Sequence, residues 1–220
     1  MLRIVQGHGS NIDERLILDG LYRYRHAVFV DYLGWTDLAR KDKREFDPFD
    51  DEHTTHFAVV IDRRLVAYCR TRSTIYPHLL SDAYPQLLRG AKVPRGPHIA
   101  EWSRGTVLPD LRKEGIEAYS VAAQWLYLGV VEWAYASGYN QFSLQITPDV
   151  IPYLWDVGIE VDVLARETEF GGAKVVPLLL TISERTLSRM RSFFDVTLPP
   201  ALMDQFSAPQ IATSGRKEAG

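Results

Sequence analysis

Three short clusters combine residue types that do chemistry when they converge. The first runs Arg25-His26-Ala27-Val28-Phe29 and continues to Gly34 and Trp35. Arg25 and Phe29 are four apart and share one face of a helix, while Trp35 falls just past Gly34, where a helix would end. A cation beside two aromatics, taken alone, is more simply a plain surface stripe. The second cluster is Glu45-Phe46-Asp47-Pro48-Phe49-Asp50. Pro48 stiffens the chain and keeps Asp47 out of helix, so both aspartates can converge on one polar target; a solvated acidic loop is the plainer alternative. The third is Glu101-Trp102-Ser103-Arg104, flanked by apolar residues. A glutamate and an arginine in mid-strand are costly without partners. A cleft accounts for them better than a structural ion pair does.

Secondary structure must bring these clusters together. Asn11 caps a predicted helix over residues 11–33, with Leu16, Leu18, Leu21, Val28, Phe29 and Leu33 at helical spacing. From Gly34 to His53 charge replaces periodicity, which predicts a mobile surface loop. A hairpin comes next over 56–61 and 65–72, then a short helix over 82–89 and a strand over 98–107. The longest helical pattern covers 115–137 and ends at Gly138. Strands at 142–146, 159–164 and 175–182, a short helix at 150–156 and a final helix capped by Ser183 complete the pattern. This order predicts an α/β three-layer sandwich, a central mixed sheet with flanking helices, in one domain over 1–198 with a loosely held tail over 199–220. Neither the dinucleotide-binding glycine fingerprint nor a P-loop is present.

Bulk properties narrow the function. With 46% hydrophobic and 24% charged residues the chain is globular rather than disordered or fibrous. A formal net charge of -3 gives no electrostatic case for nucleic acid or a membrane surface. The one cysteine, Cys69, cannot form an internal disulfide, fits a reducing compartment and reads as a buried, inert thiol. No run approaches a membrane span and the N-terminus lacks a signal-peptide core, so a cytoplasmic location is expected. His53 and His56 sit three apart beside acids, but no third ligand is spaced to join them, so no metal is expected.

Taken as an ordered set, the clusters resemble the signature of the acyl-homoserine lactone synthases, the autoinducer synthases of bacterial quorum sensing. That signature runs Arg-x3-Phe-x5-Trp, then Asp-x2-Asp, an Arg after a small-residue strand, and Glu-x-Ser-Arg. Here those positions are Arg25, Phe29, Trp35, Asp47, Asp50, Arg70, Glu101, Ser103 and Arg104. The resemblance spans about residues 20 to 110 and is fainter around Pro148 to Gly158. One departure is visible: after Arg70 the family usually reads Leu-Leu-Pro-Thr, whereas this chain has Thr71-Arg72-Ser73-Thr74, which leaves open whether Arg70 or Arg72 is the arginine of the site.

The resemblance implies an acyl-CoA N-acyltransferase type of fold and an enzyme that uses S-adenosylmethionine as substrate, with no tightly bound cofactor. The donor is acyl-CoA or acyl-acyl carrier protein. Asp47, Asp50, Phe29 and Trp35 suit a cationic ligand with an adenine ring, while some of Arg25, Arg70 and Arg104 should pair with the loop aspartates and pin that loop over the cleft. Glu101, directly or through a water, is the expected base, with Ser103 and Arg104 beside it. Strict alternation puts Glu101 and Arg104 on opposite faces of a strand, so a β-bulge is predicted between them. For the donor, Trp102 is similar to the branch that takes CoA thioesters, and Phe142 and Ile146 are pocket candidates. Arg112 and Lys113 suit a CoA phosphate or the acidic helix of a carrier protein. The rival readings are an N-acyltransferase on another amine, with no lactone formed, and a non-catalytic ligand-binding sensor.

Overall fold

The computed structural model describes residues 1–111 and 120–194. Arg112, Lys113, the start of the predicted 115–137 helix and the tail over 199–220 therefore lie outside the described residues. Among the described residues eight strands form one mixed sheet: β1 (Leu2–Gln6), β2 (Thr54–Ile61), β3 (Arg64–Ser73), β4 (Ile99–Val107), β5 (Gln141–Ile146), β6 (Glu160–Val163), β7 (Thr168–Phe170) and β8 (Ala173–Thr181). Their order is β1-β2-β3-β4-β5-β8-β6, with β7 also paired to β8. All neighbours are antiparallel except β4 and β5. β1 and β7 are strands that the sequence pattern does not foretell.

Among the described residues four α-helices cover the two faces: α1 (Ile12–Arg25), α2 (Val121–Ala136), α3 (Ile151–Asp156) and α4 (Glu184–Phe193). Alternation along β3 decides which layer each residue joins. Ala67 and Cys69 face the larger core under α2 and α4, with Phe57, Ala100, Phe142, Leu126 and Leu187. Tyr68 faces the smaller core under α1, with Leu18, Leu21 and Val5. Burial pushes the Cys69 thiol well above its ordinary pKa, as expected of an inert core thiol.

The helix ends obey their capping residues. Asn11 Oδ1 accepts from Glu14 N at 2.9 Å, and Ser183 Oγ accepts from Thr186 N at 3.2 Å. Gly138 (φ +81°) turns the chain out of α2 in the left-handed region that glycine tolerates. Two helical expectations need correction. The predicted 11–33 helix stops being α at Arg25 and continues as wider π turns over His26–Tyr32. In place of the helix over 82–89 there are two single turns, Leu79–Ala83 and Pro85–Leu88, because Pro85 has no N–H to carry one into the other.

Two irregularities in β4 open the sheet and re-aim its side chains. Against β3, Tyr68 pairs with Thr106 and Arg70 with Ser103, so Arg104 and Gly105 oppose the single residue Cys69. This is the predicted bulge, and it places Arg104 in the left-handed region at φ +56°. Against β5, pairing covers only Ile99, Ala100 and Glu101, although β4 continues to Val107. The two strands part beyond Glu101.

Candidate active site

The bulge turns Arg104 to the same face as Glu101 and Ser103, where strand, helix and loop charges meet. Arg25, at the end of α1, donates from Nε to Glu45 Oε2 at 2.5 Å and from Nη1 to Asp50 Oδ1 at 2.7 Å. Arg70, on β3, grips Asp47 through both terminal nitrogens at 2.8 and 2.7 Å, reaches Asp50 at 2.6 Å and donates from Nε to Ser103 Oγ at 3.0 Å. Arg104 Nη2 donates to Asp47 Oδ2 at 3.0 Å and to Glu45 Oε1 at 3.3 Å. Three guanidiniums thus face three carboxylates. Arg25 and Arg70 are buried at 0% and 1% exposure, which only a balanced and hydrogen-bonded network sustains.

Electrostatics keep Asp47, Asp50 and Arg70 charged. Burial alone would raise the carboxyls of Asp47 and Asp50, but Arg70, joined by Arg25 at Asp50 and Arg104 at Asp47, outweighs it and holds both below the usual carboxylate range. Burial opposes the charge on Arg70, and Asp50 and Asp47 overcome it. Behind the network His56 Nδ1 meets the Tyr68 hydroxyl at 2.8 Å, and Tyr68 accepts from Arg25 Nη1 at 3.3 Å. Desolvation lowers the His56 pKa to about 3, so this imidazole is neutral.

This geometry corrects the expectation for the 34–53 segment. The part through Lys43 is largely exposed, but Glu45 and Asp50 are buried and the 45–50 stretch is strapped to α1, β3 and β4. Charge-rich sequence reads as solvated because the compensating arginines are distant in the chain. Asp47 and Asp50 also do not stand open to a cationic ligand, since arginines already hold them. The choice between two arginines resolves by contact. Arg70 belongs to the network, whereas Arg72 pairs with Asp51 and donates to Pro77 O at 2.5 Å.

Phe29 is buried, stacked on Trp35 at 5.1 Å between ring centroids, with the Arg104 guanidinium 5.7 Å from its own centroid. Trp35 keeps 43% of its surface exposed. Glu101 sits where β4 and β5 part. Its Oε2 accepts from Leu79 N at 2.8 Å; its Oε1 accepts from Leu80 N at 2.8 Å and meets His78 Nδ1 at 3.1 Å and Gln145 Nε2 at 3.5 Å. Trp102 and Phe142 lie on the opposite face, 5.2 Å apart by ring centroid, with Trp102 also against Tyr127 of α2. Ile146 is partly buried against the same core.

Sequence reasoning misses the partners Glu45, Tyr68, His56, His78 and Gln145. The spacing of Glu45 from Asp47 and Asp50 is a usable signal. The histidines give none, because their contacts are tertiary. Among the described residues no helix is long and apolar enough to cross a membrane.

Comparison with known proteins adds an independent line. A family described as autoinducer synthase matches residues 10–190. The isovaleryl-homoserine lactone synthase of Bradyrhizobium diazoefficiens is 30% identical over 171 residues, covering 78% of this chain and 75% of that protein. Two solved structures are similar throughout. The CoA-dependent acyl-homoserine lactone synthase MesI superposes with a TM-score of 0.79 at 25% identity, covering 90% of this chain and 97% of that one. The CoA-dependent synthase BjaI, solved with S-adenosylmethionine and isopentyl-CoA, gives 0.75 at 27% identity, covering 96% and 91%.

Proposed function

The chain belongs to the autoinducer synthase family, and from that premise we propose that it makes an N-acyl-homoserine lactone from S-adenosylmethionine and an acyl-CoA. One observation carries the reading: Arg25, Glu45, Asp47, Asp50, Arg70, Ser103 and Arg104, scattered over 80 positions of sequence, form one charge-balanced network at the point where β4 and β5 separate. A plain N-acyltransferase has use for the splay and Glu101, but not for that network.

The network is the rigid wall of the cleft, and the substrate meets its edges. Trp35, exposed and backed by Phe29, offers an aromatic face to the sulfonium and adenine. Arg104 is the least buried of the three guanidiniums, at 8% side-chain exposure against 0% and 1%, has an Nε without a hydrogen-bond partner, and receives the methionine carboxylate. Beyond Glu101 the β5-facing edge of β4 has no strand partner, so its backbone N–H groups are available to the thioester carbonyl as negative charge develops on oxygen. The acyl chain passes through the gap to the apolar layer lined by Trp102, Phe142 and Ile146.

The reaction begins with loss of a proton to the Glu101 centre, because an ammonium has no lone pair with which to attack a thioester. The amine then forms the amide bond and the C–S bond of the thioester breaks. The methionine carboxylate oxygen next attacks the carbon that bears the sulfonium, closing the five-membered lactone as methylthioadenosine leaves. Arg104 contributes to that step by positioning.

Incubating the protein with S-adenosylmethionine and a panel of acyl-CoAs tests the proposal. Release of methylthioadenosine that depends on an acyl-CoA is expected. Free thiol without methylthioadenosine identifies a plain acyltransferase, and neither product identifies a sensor.

A further inference from the structure

Glu101 is poorly placed to be the only proton acceptor. A carboxylate has about four lone-pair sites. Oε1 faces three donors, from Leu80, His78 and Gln145, and Oε2 accepts from Leu79. The carboxylate therefore closes the first turn of the 79–83 segment and fixes the neighbouring imidazole.

His78 is fully buried and follows the turn over residues 73–76, which Tyr76 N closes on Ser73 O at 3.3 Å. Its Nδ1 lies 3.1 Å from Glu101 Oε1. That oxygen is acceptor-only, so Nδ1 carries the hydrogen and Nε2 carries the lone pair. Nε2 is buried and has no hydrogen-bond partner. A second buried polar atom without a partner, Ser143 Oγ, sits on β5 directly opposite Glu101 in the last pair before the strands part. Buried polar atoms are normally satisfied, and two orphans flanking one carboxylate at the apex of a splay are a place where a ligand supplies the missing bonds.

We propose that His78 is the base that deprotonates the substrate amine and that Glu101 is its positioning residue, a carboxylate–imidazole pair set at the β4–β5 splay. The inference rests on the synthase reading above and deepens it. Of the two protons the ammonium loses, one moves to His78 Nε2 and the other ends on the departing thiolate sulfur. Glu101 stabilises the imidazolium through Nδ1–H while the amide bond forms, and His78 then returns its proton to solvent. The charged groups facing His78 are Glu101 and, across the turn, Asp82, whose Oδ2 accepts from the His78 backbone N–H at 3.0 Å.

His78→Asn separates the roles, because the asparagine amide keeps a donor near the place of Nδ1 and removes the basic Nε2. The expected result is a fall in kcat of about 10²–10⁴-fold with S-adenosylmethionine binding retained, and loss of the acid limb from the pH profile of kcat/KM. An Asn variant that keeps the wild-type rate and pH profile overturns the proposal and leaves the synthase reading intact. Failure of the wild-type protein to release methylthioadenosine instead removes the synthase reading itself. Should the variant not fold, long-range 15N–1H spectra of histidine-labelled wild-type protein decide the matter. A His78 protonated at Nδ1 supports the pair, and a His78 protonated at Nε2 overturns it.

Discussion

Replacing Asp50 by Asn removes one charge from the buried network with almost no change in shape. Asp50 touches two guanidiniums, Arg25 at 2.7 Å and Arg70 at 2.6 Å, and accepts from Asp47 N at 2.9 Å. With charge centres about 4 Å apart and an effective dielectric constant near 20, each pair is worth about 4 kcal/mol before desolvation. Taking a carboxylate out of water costs several kcal/mol, which leaves a net loss of about 3–5 kcal/mol when one partner of a buried pair is removed. For a domain of this size that corresponds to a fall in melting temperature of roughly 6–20 °C. Urea unfolding and scanning calorimetry of Asp50→Asn measure it directly, with Asp162→Asn at an exposed position of β6 as a control whose melting temperature stays put. Arg70→Met in the same background restores neutrality, so the double variant should be less damaged than the sum of the singles by about 0.5–3 kcal/mol. An Asp50→Asn protein as stable as wild type, or strictly additive effects, would refute the charge balance on which the cleft rests.

Two further outcomes test other parts of the structure. The His56 pKa is lowered in the folded state, from 6.5 to about 3, so the unfolded chain takes up a proton first as pH falls. Stability should then drop by about 1.4 kcal/mol per pH unit below pH 6.5, and His56→Gln should make that slope shallower by one proton between pH 6.5 and 4.5; parallel curves would mean the imidazole is not buried neutral. A Cβ added at Gly129 would lie 2.2 Å from Leu2 Cδ2, so Gly129→Ala should cost about 1–3 kcal/mol in thermal unfolding by wedging α2 off β1, and an unchanged transition would show that Leu2 simply moves aside.

The features legible in the sequence share a physical character. Asn11, Ser183 and Gly138 mark helix ends through their own backbone chemistry, and all three stand where local rules place them. The bulge in β4 is foreseeable because alternation puts Glu101 and Arg104 on opposite faces while shared function needs them on one, and only an extra residue reconciles the two. The loop carrying Glu45, Asp47 and Asp50 misleads for the opposite reason. Its burial is caused by Arg25, Arg70 and Arg104, and charge is indistinguishable from solvation until the partners are in place. β1 escapes notice because Leu2, Ile4 and Val5 serve two different cores, so no clean alternation announces them.

Two bonds made in one cleft define the proposed activity, an amide from the thioester and an ester that expels methylthioadenosine. Following both by-products together with the lactone, using purified protein, S-adenosylmethionine and an acyl-CoA, is the most direct test. The prediction is equal amounts of free CoA thiol, methylthioadenosine and acyl-homoserine lactone throughout the time course. Thiol accumulating alongside an open-chain acylated S-adenosylmethionine, with no lactone, would contradict it.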